Sequence, residues 1–340
     1  MKRLGLFSIL CLNFLFIAHA QTTNPQQYKY VFTVAKDGSG DYKYIQDAID
    51  AMRVYPLAPI TLYIKNGVYN EKIELPSSNT DVKFIGESVD STIITFNDHT
   101  GRGKINTFTS FTAKICGNRF YAENISFVNA AGPVGQAVAL HVEADQAVFR
   151  NCKFLGNQDT IYASGENSRQ LFIGCFIEGT TDFIFGPATA VFQSCIIRCK
   201  SNSFITAAST PAWKPYGYVF KDCKILADSA VQKVFLGRPW RAHAKTVFIR
   251  CELPAVIAPA GWDHWGNTSN QQTAFYAEYK NIGKGANPSQ RATWTHQLTD
   301  EAQKHYELAE IFAPIQNNEK WYLSSTLMGF QWPVAGQNKK

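Results

Sequence analysis

A short hydrophobic pattern recurs along the middle of this chain. It is an apolar residue, a phenylalanine, two further residues and a cysteine, and it occupies residues 148–152, 171–175, 191–195, 219–223 and 247–251. Successive cysteines are 23, 20, 28 and 28 residues apart, and residues 121–124 resemble a copy with Asn124 in the cysteine position. This interval is too short for a domain and too irregular for a helical repeat. Short strands rich in Val, Ile and Phe, broken by Gly, Asn and Asp, predict one coil of a parallel β-solenoid per copy.

The main alternative is an ordinary parallel α/β sheet. Such a sheet needs crossover helices, and no helical pattern of ten or more residues lies between the repeated strands. The pattern therefore favours an all-β fold. Further strands are expected at 31–35, 61–64, 82–85 and 92–96.

The two ends of the solenoid show helical patterns. Tyr44, Ile45, Ala48, Ile49 and Met52 recur at helical spacing and predict an amphipathic helix that caps the open N-terminal end. Residues 299–311 predict a second helix, with Thr299 as its N-cap, in a C-terminal appendage packed along or over the solenoid.

Two copies of the repeat are each followed by an aspartate, seven residues after the cysteine. These are Asp159 and Asp182. The equal offset predicts equivalent positions in consecutive coils, about 5 Å apart, because stacked strands have that spacing. Two carboxylates so close titrate separately, and one stays protonated near neutral pH. An acid beside an ionised carboxylate suits general-acid and nucleophilic chemistry on an ester, but the pattern does not say which aspartate has which role.

The first 20 residues are typical of a signal peptide. Lys2 and Arg3 precede an apolar run over 4–18, and residues 18–20 form an A-x-A cleavage site. Export is expected, with no membrane attachment after cleavage, because no second apolar run follows. Residues 21–340 are expected to form one elongated, monomeric domain, since a solenoid grows by adding coils.

Charge and cysteine usage narrow the class of partner. The formal charge of +6 is weakly consistent with an acidic partner, and without a basic stripe or a nucleic-acid motif we expect no nucleic-acid binding.

Five of the seven cysteines beyond residue 20 fill the repeat position, which indicates a ladder of small buried side chains. Stacked strands are close enough for a disulfide, so the sequence leaves undecided whether Cys175 and Cys195 are bonded. The histidines are scattered and no C-x-x-C pair occurs, so neither a metal nor a cofactor is expected.

Five segments then resemble, in order, the signature segments of the pectin methylesterases. They are GVYNE at 67–71, QAVAL at 136–140, QDTIY at 158–162, DFIFG at 182–186 and LGRPW at 236–240. The resemblance covers about residues 30–300, with Ile161 where leucine is usual. It implies a right-handed parallel β-helix that acts on pectin, a methylated homogalacturonan polysaccharide.

The resemblance also implies a role for each site residue. Asp182 would be the nucleophile, Asp159 the acid and then the base, and Arg238 would hold Asp182 ionised. Gln136 and Gln158 would donate hydrogen bonds to the oxyanion.

Three aromatic residues would line the sugar- and methyl-binding surface. They are Trp240, Phe185 and Tyr162. A G-x-S-x-G motif is absent from the sequence, so a serine hydrolase is not supported.

Three alternatives remain beside a pectin methylesterase. A galacturonase would need clustered acids and a lyase a calcium site, and the sequence shows neither pattern. A non-catalytic polysaccharide-binding solenoid would be expected to lack Asp159, Asp182 or Arg238, and all three are present. An esterase acting on another ester would keep the same residues.

Overall fold

The computed structural model describes residues 28–313 and 320–323, and in it the chain winds as a parallel β-helix. The predicted signal peptide lies outside these described residues. Each complete coil places one strand in a first sheet, one in a third sheet and one in a second sheet, and then rises to the next coil. Every strand pair in the three sheets is parallel.

The first sheet has 11 strands, and the second and third sheets have seven each. The first sheet contains Val31–Val34, Ile60–Ile64, Val82–Gly86, Tyr121–Glu123, Ala147–Arg150, Arg169–Ile173, Thr189–Gln193, Tyr218–Lys221, Lys245–Ile249, Phe275–Tyr279 and His296–Gln297. The second contains Ile73–Leu75, Ala113–Ile115, Leu140–Val142, Ile161–Ala163, Ile184–Gly186, Phe204–Ala208 and Phe235–Gly237. The third contains Gly67–Asn70, Thr92–Phe96, Ser126–Asn129, Lys153–Leu155, Phe176–Gly179, Ile196–Cys199 and Lys224–Ala227.

The repeated phenylalanine forms a stacked column inside the solenoid. Phe149, Phe172, Phe192, Phe220 and Phe248 lie opposite one another in the first sheet. Neighbouring ring centroids are 4.3 to 4.9 Å apart, and the ring planes are within 12° of parallel. All five side chains are fully buried. The hydrophobic repeat is therefore the core itself, and the prediction of a β-solenoid is confirmed.

The repeated cysteine lies just after the turn from the first sheet to the third, which we call the cysteine corner. The residue before each cysteine has a φ between 46° and 58°, the left-handed region, which turns the chain so that the next side chain points inward. The five thiols are buried, and each lies near a backbone carbonyl of the preceding coil, as Cys175 Sγ does with Phe149 O at 3.4 Å. The seven cysteines that the structure describes are all free thiols, so no bond joins Cys175 to Cys195.

A short helix, Ile45–Asp50, packs its apolar face against the first coils, as predicted for an end cap. Its first turn is held by Glu71, whose carboxylate accepts hydrogen bonds from the backbone N–H groups of Ile45, at 2.8 Å, and Gln46, at 3.2 Å. The glutamate of the GVYNE segment thus satisfies two N–H groups that the helix leaves unpaired. Its role here is structural.

The C-terminal helix predicted over 299–311 is wrong as a single element. Two short helices form instead, Asp300–Lys304 and Leu308–Ile311. The helix is interrupted at His305 and Tyr306, whose carbonyls accept hydrogen bonds from side chains of the solenoid. The donors are Tyr216 Oη at 2.8 Å and Lys221 Nζ at 2.9 Å.

The N-cap of this segment and its place on the solenoid are confirmed. Thr299 Oγ1 accepts from Ala302 N at 3.1 Å, as expected for an N-cap. Ile311 and Phe312 then pack in one apolar cluster with Val219 and other outward residues of the first sheet. The appendage therefore covers the face of the first sheet and leaves the second sheet open. Among the described residues, no helix is both long enough and apolar enough to cross a membrane.

Candidate active site

Asp159 and Asp182 occupy the turn from the third sheet to the second, which we call the aspartate corner. The strands that follow them pair with Ile161 opposite Ile184 and Tyr162 opposite Phe185. Each aspartate stands two residues before its isoleucine, so the two are equivalent residues of consecutive coils. Both have a left-handed backbone, with φ of 65° and 50°, which aspartate tolerates better than most residues. The equal offset from the cysteines therefore predicted their juxtaposition correctly.

A pocket of about 190 Å³ opens over this corner. Seven of the eight predicted site residues line it, and Tyr162 is the exception. The lining consists of Thr107, Phe108, Gln136, Gln158, Asp159, Asp182, Phe185, Ala207, Arg238, Trp240 and Trp265.

Asp159 is the more protonated member of the pair. Its side chain is almost fully buried, and no other described residue donates a hydrogen bond to its carboxylate. Burial, and then the negative charge of Asp182, raise the pKa of Asp159 to about 8, while the charge of Arg238 acts in the opposite direction. At neutral pH this group therefore carries a proton that it can donate.

Asp182 is the member of the pair that has a cation as its partner. Arg238 donates two hydrogen bonds to it, from Nε to Oδ1 at 3.0 Å and from Nη2 to Oδ2 at 2.6 Å. Burial raises the pKa of Asp182, and the hydrogen bond and charge of Arg238 oppose that rise. The two aspartates share a backbone position, but only one of them has a guanidinium partner. The guanidinium therefore favours the ionised form of Asp182 more than that of Asp159.

The guanidinium of Arg238 is itself fixed between two aromatic rings. Its Cζ lies 3.9 Å from the ring centroid of Phe204 and 3.7 Å from that of Trp265. Such contacts stabilise the cation and restrict its rotation. Trp265 belongs to a loop in which its backbone N–H donates to Asp263 Oδ1 at 2.7 Å. Trp265 and Phe204 are therefore positioning residues for the pair of Arg238 and Asp182.

Gln136 and Gln158 lie beside the pocket on consecutive coils, joined by a parallel bridge between their backbones. Their side-chain amides make no hydrogen bond to another residue in the described part of the chain. The backbone N–H groups of the adjacent strands are already used in the sheet, as with Ala137 N donating to Gln158 O at 3.1 Å. The two amides are thus free donors in the same pocket as the acids.

An aromatic row crosses the second sheet beside the acids. Tyr162 stacks on Phe185, with centroids 4.6 Å apart, and Phe185 meets Trp240 edge to face at 6.0 Å. Phe185 and Trp240 reach the pocket. Tyr162 lies one coil toward the N-terminus and contacts Phe108 at 5.2 Å, so its substrate contact stays a prediction.

Sequence reasoning missed four of the lining residues. Thr107 and Phe108 belong to a 3-10 turn, Thr107–Thr109, that lies outside the repeat and reaches the pocket from another coil. Ala207 and Trp265 come from later coils. None of the four lies in a signature segment, so the sequence offered no signal for their position.

The geometry suits acyl transfer. A buried acid, a carboxylate paired with Arg238, two free amide donors and a flat aromatic wall surround one small opening. In the residue ranges that the structure describes, no three His, Cys, Asp or Glu side chains are grouped as metal ligands.

Known proteins are similar to this chain over most of its length. The family model described as Pectinesterase matches residues 31–313. The Arabidopsis thaliana protein "Probable pectinesterase/pectinesterase inhibitor 58" is 42% identical over 274 residues, covering 77% of this chain and 48% of that protein. The chain thus spans about half the length of this relative.

Solved structures agree with the fold. The pectin methylesterase from carrot superposes with a TM-score of 0.82 at 34% identity, covering 89% of this chain and 98% of the carrot chain. A pectin methylesterase solved in complex with hexasaccharide VII gives a TM-score of 0.74 at 29% identity, covering 84% of this chain and 97% of that one.

Proposed function

The chain belongs to the pectinesterase family, and on that premise we propose that it hydrolyses the methyl esters of polygalacturonate, releasing methanol and leaving the free acid. The observation that carries this proposal is the pairing of a protonated Asp159 with an Asp182 that Arg238 holds by two hydrogen bonds. Neither a galacturonase nor a lyase needs that arrangement beside two free amide donors.

In the first half of the reaction, a carboxylate oxygen of Asp182 attacks the carbonyl carbon of the methyl ester. The carbonyl electron pair moves to its oxygen, and the amides of Gln136 and Gln158 donate hydrogen bonds to that oxyanion. When the intermediate collapses, the bond from carbon to the methoxy oxygen breaks. Asp159 protonates the departing oxygen, so methanol leaves and Asp182 carries the acyl group as an anhydride.

In the second half, Asp159 has become a carboxylate and accepts a proton from water. The water oxygen attacks the acyl carbon, and the bond to Asp182 breaks. Asp182 regains its negative charge and its pair with Arg238, and Asp159 regains its proton. The sum is one ester and one water converted to one acid and one methanol.

The aromatic wall serves binding. Phe185 and Trp240 present flat apolar surfaces at the pocket, which suit a pyranose face and an ester methyl. We assign Tyr162 to the neighbouring sugar because it stacks on Phe185 one coil away.

The same proposal includes the organisation of the chain. The basic start, apolar run and A-x-A site of residues 1–20 support a cleaved signal peptide and export. Residues 21–340 would form a single catalytic domain, acting as a monomer on the polysaccharide without metal or cofactor.

The test is methanol release from highly methylated pectin, with EDTA present, by the wild type and by Asp182→Asn. The wild type should release methanol without unsaturated products or new reducing ends. Asp182→Asn should lose roughly 10³-fold or more of this activity, because the nucleophile is gone, while its thermal unfolding stays cooperative.

The matched control is Asp222→Asn. Asp222 has the same left-handed backbone, with a φ of 56°, but lies at the cysteine corner and pairs with Arg250 on the surface. It should keep wild-type activity. An active Asp182→Asn, or a folded wild type that releases no methanol, would refute the proposal, and in the second case acetylated glycans would be tested next.

A further inference from the structure

The corner that carries Gln136 is longer than the corner that carries Asp159. It runs over residues 130–139, which are ten residues between a strand of the third sheet and a strand of the second. In the next coil the equivalent stretch is residues 157–160, which are four residues, as the pairing of the flanking strands shows. A four-residue corner leaves little freedom, whereas a ten-residue loop needs contacts from elsewhere to hold one conformation. The position of Gln136 therefore depends on what holds this long corner.

Asn129 ends the strand that leads into the long corner, and its side chain is buried. The next coil has Gly156 at this position, and a Cβ there would lie 2.6 Å from Thr160 Oγ1. The same space is thus filled by a residue of the corner, Thr160, in one coil and by a residue of the strand, Asn129, in the other. The long corner is therefore held from the end of the strand.

The amide of Asn129 joins three separate stretches of backbone. Its Nδ2 donates to carbonyl oxygens of Asp98 at 2.9 Å, Ser110 at 3.1 Å and Val138 at 3.1 Å. Its Oδ1 accepts from Ala131 N at 3.0 Å. Breaking such bonds in the interior leaves polar groups without partners, which is costly. Because Ala131 lies near the start of the corner and Val138 near its end, one side chain fixes both.

The loop of the preceding coil also holds the corner at Gln136 itself. The backbone oxygen of Gln136 accepts a hydrogen bond from Thr100 N at 2.9 Å. Two residues later, Val138 N donates to Ser110 Oγ at 3.2 Å. Asn129 bonds to this same loop and to the corner, so it connects the two. The side-chain amide of Gln136 extends from this fixed backbone to the pocket.

We propose that Asn129 is a positioning residue for the reaction, because it fixes the backbone from which the amide of Gln136 reaches the oxyanion. The inference rests on the proposed function, from which it takes the role of Gln136. An oxyanion donor acts only within hydrogen-bond distance of the oxygen that becomes charged. A displacement of about 1 Å at such a group can lower the rate about 10²-fold. Asn129 is outside the pocket lining and acts on kcat through Gln136.

The experiment is a double-mutant cycle on methanol release from highly methylated pectin. Asn129→Ala should lower kcat by about 10- to 100-fold and keep KM within about twofold, because the donor moves while the aromatic wall stays. Gln136→Ala should lower kcat by about 10²- to 10³-fold. The double variant should lie within about threefold of Gln136→Ala, since removing the donor makes its position irrelevant.

The matched control is Gln170→Ala. Gln170 is also a fully buried amide, and its Nε2 donates to Val142 O at 3.1 Å, Ser164 O at 3.1 Å and Ser168 Oγ at 2.8 Å. These bonds lie at the turn from the second sheet to the first, so the variant should lose stability but keep kcat within about twofold. Equal kcat losses in Asn129→Ala and Gln170→Ala would overturn the proposal. So would an unchanged kcat in Asn129→Ala, or a double variant in which the two losses multiply.

A smaller change tests the same link if Asn129→Ala does not fold. Ser110→Ala removes only the hydroxyl that accepts from Val138 N. It should lower kcat by about three- to tenfold, and this loss should disappear when Gln136 is alanine. Ser168→Ala removes a buried hydroxyl at the other turn and should leave kcat unchanged. A loss in Ser110→Ala that persists without Gln136 would overturn the proposal.

The two proposals fail in different ways. Hydrogen exchange at residues 131–138 should quicken about tenfold or more in Asn129→Ala and stay unchanged in Gln170→Ala. A wild type that releases methanol, together with unchanged exchange in Asn129→Ala or multiplied losses in the cycle, would leave the esterase standing and remove the positioning role. A folded wild type that releases no methanol would refute the esterase and, with it, the role of Asn129.

Discussion

The cysteine corner and the aspartate corner are built alike and behave differently. Both put left-handed residues at a turn between two sheets, and both stack like side chains on consecutive coils. At the cysteine corner the stacked groups are small thiols in the core, and all five are buried to nearly the same extent. At the aspartate corner the stacked groups are carboxyls, and two identical neighbours acquire different pKa values.

The difference lies in what repetition does to each kind of group. Apolar neighbours gain contact with each further copy, so a column of them is stable and uniform. Like charges cannot both ionise cheaply at one coil spacing, so repeating a carboxylate separates the pair into an acid and a base. In this fold the same periodic geometry stabilises the core and generates the reactive asymmetry.

The largest effect on activity is expected when Asp159, the acidic member of the pair, is replaced. Asp159→Asn should lower kcat for methanol release by about 10²- to 10⁴-fold, because asparagine cannot protonate the methoxy group. The measurement is the steady-state rate on highly methylated pectin, with unfolding followed in parallel. Near-normal activity in a folded variant would mean that the two aspartates do not divide the roles as proposed.

A smaller effect is expected on stability, and its sign depends on pH. The pKa of Asp159 is raised to about 8 in the folded protein, so the folded state holds a proton that the unfolded state releases. The wild type therefore loses stability as pH rises from about 4 to about 8. Asp159→Asn has no such group, so its free energy of unfolding relative to the wild type should increase by a few kcal/mol over that range.

Urea titrations of both proteins at pH 4, 6 and 8 would measure this difference. Asp222→Asn serves as the reference for removing a carboxylate from a left-handed corner on the surface. A difference between Asp159→Asn and the wild type that does not change with pH would show that burial and Asp182 leave Asp159 unperturbed.

The smallest effect is expected at the cysteine corner. Cys195→Ser places a hydroxyl in the buried column and should lower the free energy of unfolding by about 1–2 kcal/mol. Activity should not change, since Cys195 packs in the interior while the acids lie at another corner. Chemical denaturation and methanol release together measure this. A large loss of activity in the folded variant would show that the two corners are coupled and that the contrast between them is wrong.

The repeat could be read from the sequence because its cause is local and periodic. Each of the five coils that carry the repeat buries one phenylalanine and one cysteine, so the spacing of these residues records the fold directly. The offset of Asp159 and Asp182 from their cysteines is part of the same record. The sequence could not predict that Cys175 and Cys195 are free thiols, because the strand spacing permits a disulfide bond without requiring one.

Some other site residues could be assigned only from the resemblance to the family, and the rest could be found only in the structure. Arg238 is 56 residues from its partner Asp182, and no periodicity relates the two. Thr107, Phe108 and Trp265 reach the pocket from turns, whose lengths vary between coils. Phe204 gained its role only through contact with Arg238.

The sequence by itself determined the coil, its stacked core, the end caps as a class and the juxtaposition of the two aspartates. These features follow from the alternation of apolar and polar residues within each strand and from the fixed rise per coil. Both properties can be read along the chain without knowing which distant residues meet. The tertiary structure alone decided which aspartate meets Arg238, which rings clamp that arginine and where the C-terminal helix breaks. Each of these depends on a side chain from a distant part of the chain competing for a hydrogen bond, a ring face or a charge, and such competition is settled only when all coils are in place.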